Sequence, residues 1–140
     1  MKLNRQQREY LLQLLLQAHS LYALLDILRN ISERIKLEES NRTKEFYAFR
    51  FTFFGLIVKI DSLLSLMLFR CEYLSTQQPA FIPIYKELRQ LRSLTQSAYE
   101  HIRKRHVAEG RKQIIAAAKR YEHINEHLQE FHKRLVEIEQ

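Results

Sequence analysis

The sequence predicts an all-α fold, an up-down-up-down four-helix bundle with long antiparallel helices, and three observations lead there. Only two Gly and two Pro occur in 140 residues, far fewer than the tight turns of a β-protein consume. Apolar residues recur three and four apart over long stretches, the period of one helix face. The polar segments between those stretches are short, which favours antiparallel neighbours. With 46% hydrophobic residues the chain supports one core, so a single helical-bundle domain over residues 1–140 is expected.

The first helix is expected over residues 5–37. Asn4 with Gln7 three positions on reads as a capping box, ahead of Leu11, Leu14, Ala18, Leu21, Leu25 and Leu28. Arg8, Gln13, Gln17, Asp26, Arg29 and Glu33 occupy its other face. Residues Glu38–Thr43 are polar and suit a loop, with Thr43 placed to cap the next helix.

The second helix, over residues 44–74, is apolar on more than one side. Phe46, Phe49, Phe53, Leu56, Ile60, Leu63 and Met67 form one stripe, and Tyr47, Phe51, Phe54, Val58 and Phe69 load another. One bundle seam does not need both, so the second stripe is expected to face a protein partner or another copy. Arg50, Lys59 and Asp61 interrupt the run; a charge near a bilayer centre costs about 2.5–3.5 kcal/mol, so a membrane span is not expected. Lys59 and Asp61 are expected to find partners near His19 or Asp26 on the first helix.

Pro79 and Pro83 mark the start of the third helix, because proline is tolerated in a first turn. Its stripe is Ile84, Leu88, Leu91, Thr95, Ala98 and Ile102. Gly110, where the period slips, places the last hairpin near residues 107–111. The fourth helix has the most regular pattern, with Ile114, Ala117, Tyr121, Ile124, Leu128, Phe131, Leu135 and Ile138, a coiled-coil-like seam.

A net charge of +7 and a pI near 9.7 suit an anionic partner, RNA or DNA being the commonest large one; the same charge also keeps a soluble domain dispersed. The lone Cys71 forms no internal disulfide and has no zinc-ligand spacing around it, which fits a reducing compartment. No signal-peptide pattern is read at the N-terminus, so a cytoplasmic location is expected and the Asn41-Arg42-Thr43 sequon is expected to be idle. No serine triad, phosphate-binding glycine loop or paired-carboxylate motif occurs, so no cofactor and no small-molecule substrate are expected.

The best candidate site is a basic cluster. Arg103, Lys104, Arg105, Arg111 and Lys112 fall within ten positions, and an up-down-up-down bundle brings Arg34, Lys36, Arg42 and Lys44 to the same end. Such an end offers donors to phosphates. The competing reading is plainer: cations complement the dipole at the end of the third helix, and Glu33, Glu38, Glu39 and Glu45 dilute the patch.

His123 and His127 stand four apart beside Glu122, Glu126, Glu130 and His132, but the heptad phase turns His123 outward and no metal site is expected. Arg120 and His127 have six residues between them, a spacing that resembles the Arg-to-His motif of the helical ribonucleases called HEPN domains. Arg and His together could stabilise a phosphorane and move a proton.

Two fragments resemble the accessory variability determinant proteins of diversity-generating retroelements. Arg50-Phe51-Thr52, followed by Gly55 and a Leu-rich helix, is similar to that family's opening of its second helix; Tyr121-Glu122-His123-Ile124, followed by Leu128, is similar to its last-helix pattern. The family's Gly-Gly-Trp ending is absent, since this chain has no Trp. The resemblance implies a small basic four-helix bundle that assembles into a ring and binds reverse transcriptase and RNA.

The expectation is therefore a non-enzymatic helical accessory or scaffold protein. It would self-associate or dock on a protein through Tyr47, Phe51, Phe54 and Val58, and contact RNA or DNA phosphates through Arg103, Lys104, Arg105, Arg111 and Lys112. A purely protein-binding assembly subunit and a HEPN-like ribonuclease are the alternatives.

Overall fold

Asn4 begins the first helix by a reciprocal cap. Its side chain accepts from the Gln7 amide at 2.8 Å, and the Gln7 side chain accepts from the Asn4 amide at 3.0 Å, which satisfies two of the orphan donors of a helix start. The computed structural model describes residues 2–35 and 44–139. Helix α1 spans Arg5–Arg34, α2 Lys44–Gln77, α3 Ile82–Arg103 and α4 Val107–Glu139, with a 3-10 turn at Pro79–Phe81 between α2 and α3. No strand is present among the described residues. The expected loop Glu38–Thr43, the Thr43 cap, Lys36 and Arg42 lie outside them, as do the side chains of Leu135 and Ile138.

Cross-helix pairs fix the directions. Tyr73 of α2 donates to Gln6 of α1 at 3.2 Å, and its ring meets Tyr10 edge-on at 4.8 Å. Between α2 and α3, Arg50 with the Arg103 carbonyl, Phe54 with Tyr99, and Asp61 with Arg92 step in opposite directions along the two helices. Phe81 stacks on Phe131 at 4.6 Å near the start of α3, and the Tyr121 hydroxyl of α4 donates to the Ala18 carbonyl of α1, closing the square. Each helix packs on its two neighbours and none on the one diagonally opposite. The fold is the expected up-down-up-down four-helix bundle.

The expected stripes of α1 and α3 are buried in full. So are the six positions of α4 from Ile114 to Phe131. In α2 Phe46, Phe53, Ile60 and Met67 of the expected stripe are buried, but the alternate positions differ: Ile57 and Leu64 are buried, whereas Phe49, Leu56 and Leu63 are half-buried at the core's margin. An all-round apolar helix has no unique phase, and over 34 residues two adjacent columns both fit a period of 3.6.

Two helix ends move by three residues: α1 stops at Arg34, where Ile35 turns extended, and α2 continues to Gln77. The last hairpin is also corrected, from 107–111 to residues 104–106. There the Arg105 amide donates to the Ile102 carbonyl at 3.1 Å and the His106 amide to the His101 carbonyl at 2.7 Å, the paired bonds of a Schellman ending. Arg105 takes the left-handed position at φ 64° that Gly usually fills. Gly110 instead lies buried inside α4, where an added Cβ would sit 2.6 Å from Ile102 Cδ1; it is a close-packing residue of the α3–α4 seam.

Candidate nucleic-acid interface

The α3–α4 turn carries the expected cluster outward. Lys104 and Arg105 are exposed and Arg111 is half-buried, and none of the three makes an ion pair among the described residues. Arg103 is tied to Glu100 at 2.9 Å, and Lys112 approaches Glu109 at 3.6 Å. The Arg103 guanidinium, by its hydrogen bond first and its charge second, holds the Glu100 carboxyl below the ordinary carboxylate range. Two of the five expected cations are thus partly spent on local acids, and three remain for an external anion.

Arg50 joins this end from α2. Its guanidinium reaches the Arg103 carbonyl at 3.5 Å and lies 5.3 Å above the Phe54 ring. In the sequence Arg50 stands apart from the basic cluster, but the antiparallel register sets it opposite Arg103. Arg34 and Lys44, exposed at the same end of α1 and α2, fall where the topology put them.

The expected protein-interface residues divide. Tyr47 is 52% exposed, Phe51 83% and Val58 61%. Phe54 is a correction: it is half-buried in the α2–α3 seam, 5.1 Å from the Tyr99 ring. The exposed apolar surface extends further than expected, to Leu66 and Phe69 on α2 and to Leu12, Leu16, Tyr22 and Ile27 on α1. Leu12, Leu16 and Ile27 sit opposite the buried stripe of α1 at helical spacing, a second period masked in the sequence by the stronger core pattern.

Asp61 is partnered by Arg92 of α3 at 3.2 Å, not by α1, and Asp26 pairs with Arg29 on its own helix at 2.7 Å. Lys59 is exposed and makes no ion pair among the described residues. Lys59 and Asp61 therefore sit at the solvent edges of α2, which explains how so apolar a helix accommodates them. By length and composition alone α1 and α2 are each apolar enough to cross a membrane, a test that the core helices of soluble bundles also pass.

Arg120 and His127 both face α3 but engage separate partners. Arg120 donates to Gln90, and His127 Nδ1 lies 3.6 Å from Glu87. Seven positions separate them, roughly 10 Å of helix rise, so the two side chains are held at different levels of the seam. His123 is exposed, and no group of three metal-ligating side chains converges among the described residues. Cys71 is fully buried with its thiol directed at the Phe81 carbonyl, 3.8 Å away, and burial pushes its pKa up to about 12. A thiol so desolvated is a packing group, since the thiolate is the reactive form.

A second set of cations was not singled out from the sequence. Lys86, Arg89 and Arg92 lie on the outer side of α3, and two hollows along that helix meet at Arg89 and Ser93. Their three-residue spacing, read beside the buried stripe of α3, is the signal that could have found them. Between Ile82 and Glu139 twelve Lys and Arg stand against eight Glu, so the net charge of +7 is shared almost evenly between the two halves of the chain. No protein-family model, curated protein or solved structure matches this chain.

Proposed function

We propose that this chain is a non-enzymatic helical accessory module that holds nucleic-acid phosphates at its α3–α4 end and docks on protein, or on its own copies, through α1 and α2. One observation carries the reading: apolar and cationic surface are concentrated in different places. Nine of the eleven exposed large apolar side chains among the described residues lie on α1 and α2, and the unpaired cations Lys104, Arg105 and Arg111 cluster at the α3–α4 turn. An apolar wall is the chemistry of protein docking, and a cluster of free cations without base-reading geometry is the chemistry of sequence-independent phosphate contact.

The turn adds weight. A non-glycine residue at a left-handed position costs about 1 kcal/mol, and Arg105 occupies it while projecting a charge. The test is a titration of labelled single-stranded and duplex oligonucleotides across salt concentrations. Replacing Lys104 and Arg111 by Gln and Arg105 by Gly is expected to lower the slope of log affinity against log salt by about 2 to 3. Arg105→Gly alone is expected to weaken binding while raising folding stability by about 1 kcal/mol. Absence of binding at low salt, or an unchanged slope in the triple variant, overturns the phosphate half of the reading.

A further inference from the structure

Along the outer side of α3 the helix presents Lys86, Arg89, Ser93 and Gln96, spaced three and four apart on one face. Between this face and α2 runs a groove of about 630 Å³ that includes Phe69, Tyr85, Arg89, Arg92, Ser93 and Gln96. On the other side of Arg89 and Ser93 a second hollow of about 320 Å³ reaches Lys86 and Gln90. Gln90 is held by Arg120 of α4, which brings a further guanidinium to that end. The two hollows share residues and form one track across α3, a shape suited to an extended ligand.

The chemistry of the track is mixed in a specific way. Lys86 and Arg89 make no ion pair among the described residues; Arg89 lies 5.8 Å over the Tyr85 ring. Arg92 is already paired with Asp61, and Glu72 stands on the α2 side of the groove, so anionic groups are steered to Lys86, Arg89 and the hydroxyl of Ser93. Phe69 is 65% exposed at the groove's edge. Guanidinium and ammonium groups beside hydroxyls suit a phosphodiester backbone, and an exposed aromatic face beside them suits an unpaired base. A duplex offers its phosphates but keeps its bases stacked inside, and cannot use the ring.

From this arrangement we infer that the α2–α3 groove binds single-stranded nucleic acid, with phosphates on Lys86, Arg89 and Ser93 and a base stacked on Phe69. The site shares the ligand class of the reading above and none of its phosphate-holding residues, although Phe69 also belongs to the exposed apolar surface of α2, so the two phosphate sites stand or fall separately.

The experiment compares labelled single-stranded RNA, single-stranded DNA and duplex against the full chain and three variants, with anionic phosphatidylserine vesicles as a competing probe. Lys86→Gln with Arg89→Gln is expected to weaken single-strand binding about tenfold, and Phe69→Ala about fivefold, with duplex binding little changed. The turn variant at Lys104, Arg105 and Arg111 is expected to weaken both strand forms alike. A photoreactive uracil in the strand is expected to crosslink to Phe69 or Tyr85. Unchanged single-strand affinity in the groove variants, or crosslinks confined to residues 103–112, overturns the groove site while leaving the turn intact. Vesicle binding lost in the groove variants, without any strand binding, overturns it in favour of lipid headgroups.

Discussion

At Cys71 the sequence and the structure ask different questions of one atom. As a lone cysteine beside Arg70, it invites a low-pKa thiol; buried at 0% exposure it becomes the reverse. Desolvation raises its pKa from 9.0 to about 12, so the folded state favours the protonated thiol more than the unfolded chain does. The stabilisation is complete below pH 9 and is lost as pH rises toward 12. Two outcomes are expected together: a thiol reagent modifies Cys71 at least about 100-fold more slowly in the folded protein than in denaturant, and wild-type stability falls more steeply above pH 9 than that of Cys71→Ala. Rapid labelling of the folded chain contradicts this account. Tyr121 shows how far such residues were legible. Its heptad position identified a core residue, but its bond to the Ala18 carbonyl joins residues 103 positions apart, and no local pattern encodes that.

At the scale of the helix, legibility follows contrast. Helix α3 alternates sharply between apolar and polar, and α1 keeps one unbroken stripe despite its exposed leucines, so every expected core position of both is buried. Helix α2 lacks contrast: Phe46, Phe53, Ile60 and Met67 are buried as expected, but Ile57 and Leu64 take the core positions expected of Leu56 and Leu63. The α3–α4 turn misled for a different reason: its left-handed residue is Arg105, while the nearby Gly110 serves packing. The two glycines of the chain give opposite expectations on this basis. Gly55 is exposed in mid-helix with nothing within 4 Å of an added Cβ, so Gly55→Ala is expected to stabilise by about 0.5–1 kcal/mol through helix propensity. At Gly110 the added Cβ would meet Ile102 Cγ1 at 2.8 Å as well as Cδ1, and Ile102 is fully buried. Overpacking of about 1–3 kcal/mol exceeds the same propensity gain, so Gly110→Ala is expected to destabilise by about 1 kcal/mol. Denaturant midpoints of the two variants, measured against wild type, check both signs.

The whole molecule has an apolar wall and a basic end, and the sequence foreshadows each only in part. The basic end emerged from clustering along the sequence, whereas the α3 track needed the groove to be seen, and the α1 part of the apolar wall hid behind a stronger core period. Burial explains why the wall calls for cover. Full burial of an exposed Phe or Val contributes about 1.5–3 kcal/mol, and Phe51 and Val58, on one face of α2, forgo most of it at 83% and 61% exposure. Covering them in a second copy relieves that cost twice, because a two-fold contact uses the same patch on both partners. The chain is therefore expected to sediment above its monomer mass of 17.0 kDa at micromolar concentration. Phe51→Glu with Val58→Glu is expected to return it to the monomer while leaving thermal stability within about 0.5 kcal/mol, as for exposed sites generally. A wild-type chain that stays monomeric removes self-association and leaves the wall to a different protein. Binding of the wild type to neutral vesicles, abolished in the double variant, would assign the wall to a membrane surface instead. Loss of fold in the variant would mean that these side chains belong to the core, against their exposure.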